Sequence, residues 1–152
     1  MIRVQEEPFD PGRELQDLKT GNRTIGGSCM FVGTVRDLSG DANVDAMTLE
    51  HYPGMTEKAL AEIETEALER WPLEASLIIH RYGRMEPGED IVLVITCSRH
   101  RQAAFESAHF LMDWLKTKAP FWKLEEGAEG GNWVDARESD DEAAARWAEP
   151  AN

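Results

Sequence analysis

The stretch from Ser98 to Lys123, SRHRQAAFESAHFLMDWLKTKAPFWK, decides more of the expected fold than any other part of the chain. Its apolar residues recur at steps of three and four, the spacing of one helix face: Phe105, Ala108, Met112 and Leu115, with Ala104 and Leu111 beside them. Pro120 disfavours helical geometry in the residue before it, so the helix is expected to end near Lys118. We therefore predict one long amphipathic helix here.

The same stretch is a positive island in an acidic protein. It holds five cations and two acids, whereas the whole chain of 152 residues has a formal net charge of −13. The cations are Arg99, Arg101, Lys116, Lys118 and Lys123. This contrast predicts a site for a specific anion. A nucleic-acid partner is not expected, because the neutralisation of many phosphates needs a broad basic face.

Lys116 follows Met112 by four residues, so it is expected to extend the apolar stripe and lose hydration, which favours a lysine that acts as an acid or base. The alternative is that Lys116 and Lys118 only complement the negative end of the helix dipole. His100 and Arg101 begin the helix, roughly 20 Å or more from Lys116. If both ends are functional, a two-fold dimer would bring one subunit's helix start to the other's helix end.

Length and composition predict one globular domain over residues 1–152. The N-terminus lacks the apolar core of a signal peptide, and the aliphatic run Ile91–Ile95 is too short to cross a bilayer, so we expect a cytoplasmic protein that does not enter membranes. Cys29 and Cys97 lie in or beside apolar runs without a metal-ligand spacing. They are predicted to be buried structural thiols; the alternative is a persulfide-carrying nucleophile.

Apolar runs and turn residues place the remaining elements. The predicted strands are 2–5, 28–35, 44–52, 77–82, 91–97 and 133–134, and the predicted helices are 11–19, 55–70 and a short one that follows a capping box at 139–142. The helix 55–70 should bury Leu60, Ile63 and Ala67 and leave its acidic face in solvent. Arg36 ends a strand, where it either faces a cleft or is solvated. Strands 77–82 and 91–97 are continuous enough in Ile and Val to lie centrally in a sheet. The order of elements predicts an α+β fold with a mixed sheet and packed helices.

Without a family resemblance, the residues indicate only an anion site, since the chain has no phosphate loop, nucleophile elbow or metal spacing. However, four segments together resemble the large, catalytic subunits of molybdopterin synthase: LEHYPGMTEKAL at 49–60, SRHR at 98–101, MDWLKTKAPFWK at 112–123 and WVDARESD at 133–140. The resemblance covers about residues 25–147, is weakest over 1–24, and leaves 139–152 as a helical tail. It implies an α/β hammerhead-like fold with added elements.

The resemblance also implies a reaction. Such enzymes belong to molybdenum-cofactor biosynthesis and convert cyclic pyranopterin monophosphate into molybdopterin by adding two sulfurs as a dithiolene. The sulfur arrives on a small ubiquitin-like carrier whose C-terminal Gly-Gly ends in a thiocarboxylate. The large subunits form a homodimer within a heterotetramer, and neither a metal nor another cofactor is implied. The competing hypothesis is a non-catalytic module that binds an anion or a ubiquitin-like tail.

Site residues follow from the resemblance by motif. Lys116 and Lys123 are implied to be catalytic. The implied substrate-binding residues are Thr34, Val35, Arg36, His100, Arg101, Lys116, Lys123, Leu124 and Glu125, with His100 and Arg101 donated by the neighbouring subunit. Phe31 and Met112 are implied to form the apolar wall of the pocket. Arg99 stands where the family is expected to have a small residue, so it either adds charge at the pocket rim or is a surface variation.

Overall fold

The computed structural model describes residues 1–36, 44–127, 130–134 and 145–148, with the backbone alone at 44–45, 122–127 and 130–134. These residues form strands and helices in the following order: β1 Ile2–Gln5, α1 Pro11–Lys19, β2 Gly27–Thr34, β3 Val44–His51, α2 Met55–Arg70, β4 Leu73–Arg81, β5 Gly83–Met85, β6 Asp90–Ser98, α3 Arg101–Lys118, β7 Phe121–Gly127 and β8 Gly130–Val134. The predicted capping box at 139–142 lies outside the described residues.

The first sheet has the strand order β1-β4-β6-β2. β1 pairs with β4 in parallel, and the other pairs are antiparallel, so the sheet is mixed as predicted. β4 and β6 are its two central strands. Their continuous aliphatic sequences fit this place because both faces of a central strand are covered. The prediction that these two strands lie centrally is confirmed.

Helices cover both faces of this sheet. On one face, α2 and α3 bury a cluster that includes Leu60, Ile63 and Ala67, as predicted, together with Phe110 and Leu111. On the other face, α1 packs against a second cluster, formed by Leu77, Ile79, Leu93, Ile95 and Cys97. α1 begins after Asp10, whose side chain accepts a hydrogen bond from the Arg13 backbone N–H.

A second sheet, with the order β5-β3-β7-β8, is antiparallel throughout. The sequence predicted β3 and an edge strand at 133–134 but neither β5 nor β7. The buried cluster of this sheet contains Val35, Met47, Leu49 and Met85, with Phe121 packed against it. The α+β class is therefore confirmed, and the additional sheet extends it.

Two details of the helices differ from the predictions. Phe105 was assigned to the buried face of α3, but it is 62% exposed, whereas Phe110 is fully buried. Phe105, Met112 and Lys116 lie on one stripe at the border of the buried face, which runs past the last strand of the sheet. Glu64 of α2 was expected in solvent, but it is only 13% exposed and accepts hydrogen bonds from the Met1 amino group and the Ser76 hydroxyl.

A short segment near the C-terminus packs on the outside of α2 and α3. Trp147 contacts the rings of Trp71 and Phe110, and its indole N–H donates to Asp113 Oδ2 at 2.6 Å. Arg70 donates to the Trp147 backbone carbonyl at 2.8 Å. Among the described residues, no helix is both long and apolar enough to cross a membrane.

Candidate functional site

The predicted site residues fall into two groups because they lie at opposite ends of the long helix α3. Lys116 lies in its last turns, and His100 and Arg101 lie at its start. At 1.5 Å per residue, Arg101 and Lys116 are roughly 22 Å apart. Since β6 leads into α3 and the helix runs back along the sheet, the start of α3 lies near the start of β2, and its end lies near the end of β2.

The first group surrounds the end of α3, and we call it the lysine corner: Thr34–Arg36, Lys116 and Phe121–Glu125. Pro120 ends α3, and β7 begins directly after it. The fully buried Thr56, at the start of α2, donates its hydroxyl to the Pro120 carbonyl at 3.0 Å and accepts from the Tyr52 N–H at 3.1 Å. The junction between α3 and β7 is thereby fixed to α2.

The backbone of β7 carries three predicted residues. Lys123 pairs with Leu49 on one side and Val134 on the other, Leu124 pairs with Thr48, and Glu125 pairs with Met47. Their side chains lie outside what the structure describes. Leu49 of β3 packs in the same cluster as Val35. β3 therefore lies between the end of β2 and the middle of β7 and connects them.

The three residues at the end of β2 have different roles in the lysine corner. The Thr34 hydroxyl donates to Asp90 Oδ1 at 2.9 Å. Val35, only 6% exposed, packs in the core of the second sheet, and its N–H donates to the Glu89 carbonyl at 2.8 Å. Its side chain therefore supports the corner from beneath. Arg36 is exposed and is the cation at this strand end.

The second group, at the start of α3, is open to solvent. His100 occupies the N-cap position with extended backbone, and both His100 and Arg101 are exposed. The Ser98 hydroxyl donates to the His100 carbonyl, which shapes the turn from β6 into α3. A single protomer does not bring this pair to the lysine corner.

Arg99 pairs with a neighbouring strand. Its Nε lies 3.3 Å from Glu74 Oε1 on β4, with Arg99 69% exposed. The Thr24 hydroxyl, hydrogen-bonded to the same carboxyl group, is the largest cause that lowers the pKa of Glu74, and Arg99 adds to it. This contact favours the surface interpretation of Arg99 over a role at a pocket rim.

Sequence reasoning missed an aromatic group behind Lys116. The His80 ring, on β4, stacks on the Phe121 ring with 3.8 Å between centroids. The His51 ring lies 4.2 Å from that of Tyr82 and 6.5 Å from that of Phe121. Burial lowers the pKa of His80 to about 4, and the charges of His51 and Lys116 contribute, so the ring is neutral at neutral pH.

The signal for this group was present in the sequence. His80 follows the aliphatic residues Leu77-Ile78-Ile79 in a predicted strand. A histidine at the end of such a run must be buried, paired or both. His51 lies in the EHY motif at 50–52, which was used for the resemblance and not for its chemistry. The contact between His80 and Phe121 could not be predicted from the sequence, because it joins two different sheets.

Two observations concern the expected pocket. Lys116 is exposed in the protomer, so the prediction that it loses hydration is wrong for the single chain. Phe31 lies on the α3 side of β2 and is 43% exposed, and Met112 is half-buried. A surface depression of about 590 Å³ lies away from these residues, on α2. Its carboxylates do not suit an anion. It is lined by Lys58, Ala61, Glu62, Thr65, Glu66 and Glu69.

Of the two cysteines, Cys97 is buried, as predicted, whereas Cys29 is only half-buried. The Cys97 sulfur lies 3.3 Å from the Ser28 hydroxyl, and partial burial raises the pKa of the Cys29 thiol. A raised pKa disfavours the thiolate that a persulfide chemistry needs. Within the described ranges, no group of three or more His, Cys, Asp or Glu side chains is arranged to hold a metal ion.

Comparisons with known proteins place this geometry in a family. A family model described as "MoaE protein" matches residues 4–118. The molybdopterin synthase catalytic subunit of Pseudomonas aeruginosa is 57% identical, over 97% of this chain and 99% of that protein. A MoaE protein structure from Burkholderia ambifaria has a TM-score of 0.85 and 52% identity, with 98% of both chains covered. A molybdopterin synthase structure from Staphylococcus aureus has a TM-score of 0.80 and 29% identity, covering 88% of this chain and 96% of that one. The chain therefore belongs to the MoaE protein family.

Proposed function

We propose that this protein is the catalytic subunit of a molybdopterin synthase and works in the cytoplasm. In this proposal it transfers two sulfurs from the thiocarboxylated C-terminus of a small ubiquitin-like carrier to cyclic pyranopterin monophosphate. The observation that carries the proposal is the lysine corner, where the ends of α3 and β2 meet β7 in a chain 57% identical to a molybdopterin synthase catalytic subunit. A catalytic subunit implies a second subunit, which we take to be the carrier.

The residue types of the corner suit this chemistry. Each addition forms a bond between the carrier's sulfur and a substrate carbon as a carbon–oxygen bond of that carbon breaks; one oxygen leaves with the opened cyclic phosphate and the other as water. Water then cleaves the bond between that sulfur and the carrier's acyl carbon, which leaves a carboxylate on the carrier. Negative charge develops on oxygen and sulfur in these steps. Fixed cations stabilise such charge well where water is excluded. Lys116 and Lys123 supply the charge and the protons, and Arg36 binds the substrate phosphate.

The separation of the two groups supports a homodimer. His100 and Arg101 are roughly 22 Å from Lys116 along α3, so they serve the corner only if a second subunit donates them. The protomer exposes apolar side chains on the side of the sheet that α3 covers: Phe31 is 43% and Phe105 62% exposed. A second subunit placed there would cover these rings and remove water from Lys116, and the carrier subunits would complete a heterotetramer.

Reconstitution tests the proposal. Purified protein is combined with a thiocarboxylated carrier and cyclic pyranopterin monophosphate, and the oxidised pterin product is followed by fluorescence. The wild type should form product, and Lys116→Ala should form almost none while still binding the carrier. Lys118→Ala is the matched control, because Lys118 lies in the same last turn but packs over the Trp114 ring at 4.2 Å.

The competing hypothesis is a module that binds an anion or a ubiquitin-like tail without transforming it. It is favoured by one observation, the exposure of Lys116 in the protomer. It predicts that the wild type binds a carrier shown to be competent and forms no product. A third possibility, sulfur transfer through a cysteine persulfide, predicts that Cys29→Ala with Cys97→Ala abolishes product formation in a folded protein.

A further inference from the structure

A histidine joins the two sheets behind the lysine corner. His80 is 8% exposed, and its ring is nearly parallel to that of Phe121, with 3.8 Å between centroids and 21° between planes. Its Nδ1 lies 2.9 Å from the Arg81 carbonyl oxygen. A carbonyl only accepts, so Nδ1 donates and carries the proton of the neutral ring. The hydrogen bond and the stack together fix the orientation of the imidazole.

Phe121 lies in the chain between Lys116, on α3, and Lys123, on β7. It is the first residue of β7, two positions before Lys123, and its N–H donates to the Ala119 carbonyl at 2.9 Å, directly after the end of α3. Lys116 is close enough for its charge to act on His80. A shift of the Phe121 ring would therefore move the start of β7 relative to the last turn of α3.

Phe121 has a second aromatic neighbour, on β3. His51 pairs with Phe121 between β3 and β7, and its ring centroid lies 6.5 Å from that of Phe121. The His51 ring is in turn 4.2 Å from Tyr82, and its Nε2 lies 3.8 Å from Glu57 Oε1. Phe121 thus contacts a ring of the first sheet, His80, and a ring of its own sheet, His51.

We propose that His80 is a positioning residue for the reaction: through its stack on Phe121, it holds the start of β7 against the end of α3 and sets the spacing between Lys116 and Lys123. His80 acts through Phe121 and does not touch the substrate. The inference rests on the proposed function, in which both lysines take part.

Steady-state kinetics in the reconstituted reaction test it with His80→Ala, Phe121→Ala and the double variant. Each single change should lower kcat about tenfold and leave KM within about threefold, because the lysines are misplaced while the binding groups remain. The double variant should be no slower than the slower single variant, since both changes remove one contact. His80→Phe, which keeps an aromatic ring against Phe121, should stay within about threefold of the wild type.

Trp71→Phe is the matched control for a loss of core packing. Trp71 also packs on a buried aromatic ring, that of Phe110 at 5.3 Å, but on the side of the core away from β7. It should lower the thermal midpoint and leave kcat unchanged, with all rates measured where circular dichroism shows folded protein. A wild-type kcat in folded His80→Ala, or losses that multiply in the double variant, would overturn the proposal.

A second readout does not depend on activity. Lysines are reductively methylated with ¹³C, and the methyl signals of Lys116 and Lys123 are compared between wild type and His80→Ala, with Lys19, on α1, as the distant reference. We expect the first two signals to shift and the reference to stay. Unchanged signals at Lys116 and Lys123 overturn the positioning role, even if the wild type makes no product and the synthase function itself fails.

Discussion

The two ends of α3 differ in what surrounds them. The C-terminal end is enclosed by the start of α2, by β7 and by the His80 stack, whereas His100 and Arg101 at the N-terminal end are exposed. The cations at the C-terminal end of α3 are thus positioned by contacts within the protomer, whereas those at its N-terminal end lie in solvent. A positive island in the sequence therefore need not be one site in the protomer, because a helix separates residues that are only 15 positions apart by roughly 22 Å.

Mixed dimers test this difference most strongly. Lys116→Ala should lower activity about a thousandfold, since it removes a cation from the reacting charge, and Arg101→Ala about a hundredfold, since it removes a cation that binds the anionic substrate. If the two ends meet across a dimer, mixed and re-equilibrated variants should recover about a quarter of wild-type activity, because half of the dimers are mixed and each of these has one intact site. Enzyme assays after dissociation and remixing measure this recovery. Activity that stays at the level of the single variants would show that both ends act within one protomer.

Acid should weaken the enclosed end more than the open one. The pKa of His80 is about 4 in the folded protein and about 6.5 in the unfolded chain. As pH falls through this window, the unfolded state binds the proton first, so the free energy of unfolding decreases by about 3 kcal/mol, with no further change from His80 below pH 4. Urea titrations from pH 7 to pH 4 measure the slope.

The pH control must separate His80 from the carboxylates, whose protonation also destabilises the fold in acid. Glu74, Glu89 and Glu106 have lowered pKa values, mainly through hydrogen bonds to the carboxylate. The difference between the wild type and His80→Phe removes their contribution. The charges of His51 and Lys116 and the Arg81 backbone carbonyl lie near residue 80 in both proteins. Parallel curves for the two proteins would contradict the assignment to His80.

The open end should depend on backbone packing at Gly26. A Cβ atom there would lie 2.0 Å from the Arg99 backbone oxygen, so Gly26→Ala must displace the turn that carries His100 and Arg101. We expect the unfolding free energy to fall by about 2 kcal/mol, the usual cost of overpacking. Thermal or urea unfolding measures it. Gly12→Ala is the control, since its Cβ would meet Asp10 only at an ordinary 3.6 Å and should leave stability equal or slightly higher.

The smallest effect is expected from Arg99→Ala. Its guanidinium is exposed and pairs with Glu74 on β4, away from the lysine corner. Exposed ion pairs contribute little to stability because water screens them. The thermal midpoint and the turnover should both match the wild type within error. A clear rise in KM for the phosphate-bearing substrate would instead restore Arg99 to the rim of the pocket.

Local signals predicted most of the elements correctly. α2 begins at Met55 and ends at Arg70, as expected, because Pro53-Gly54 and Trp71-Pro72 flank it. α1 and β1 also have the predicted bounds. β7 was missed because Phe121–Gly127 mixes aromatic, charged and glycine residues and forms no strand pattern before its partner β3 is known. Phe105 was placed wrongly on the buried face, and Phe110 was missed, because periodicity locates a stripe and only the packing of the helix decides how much of it is covered.

The sequence by itself determined the helices α1–α3, the strands of the first sheet, the end of α3 before Pro120 and the family, because each depends on local backbone preferences or on motifs of consecutive residues. Only the tertiary structure decided which predicted site residues lie together. It joined Thr34–Arg36 to β7 through the core of the second sheet, separated His100 and Arg101 from Lys116, and brought His80 onto Phe121. The reason is that these relations depend on strand pairing and packing between segments distant in the chain, which no local pattern encodes.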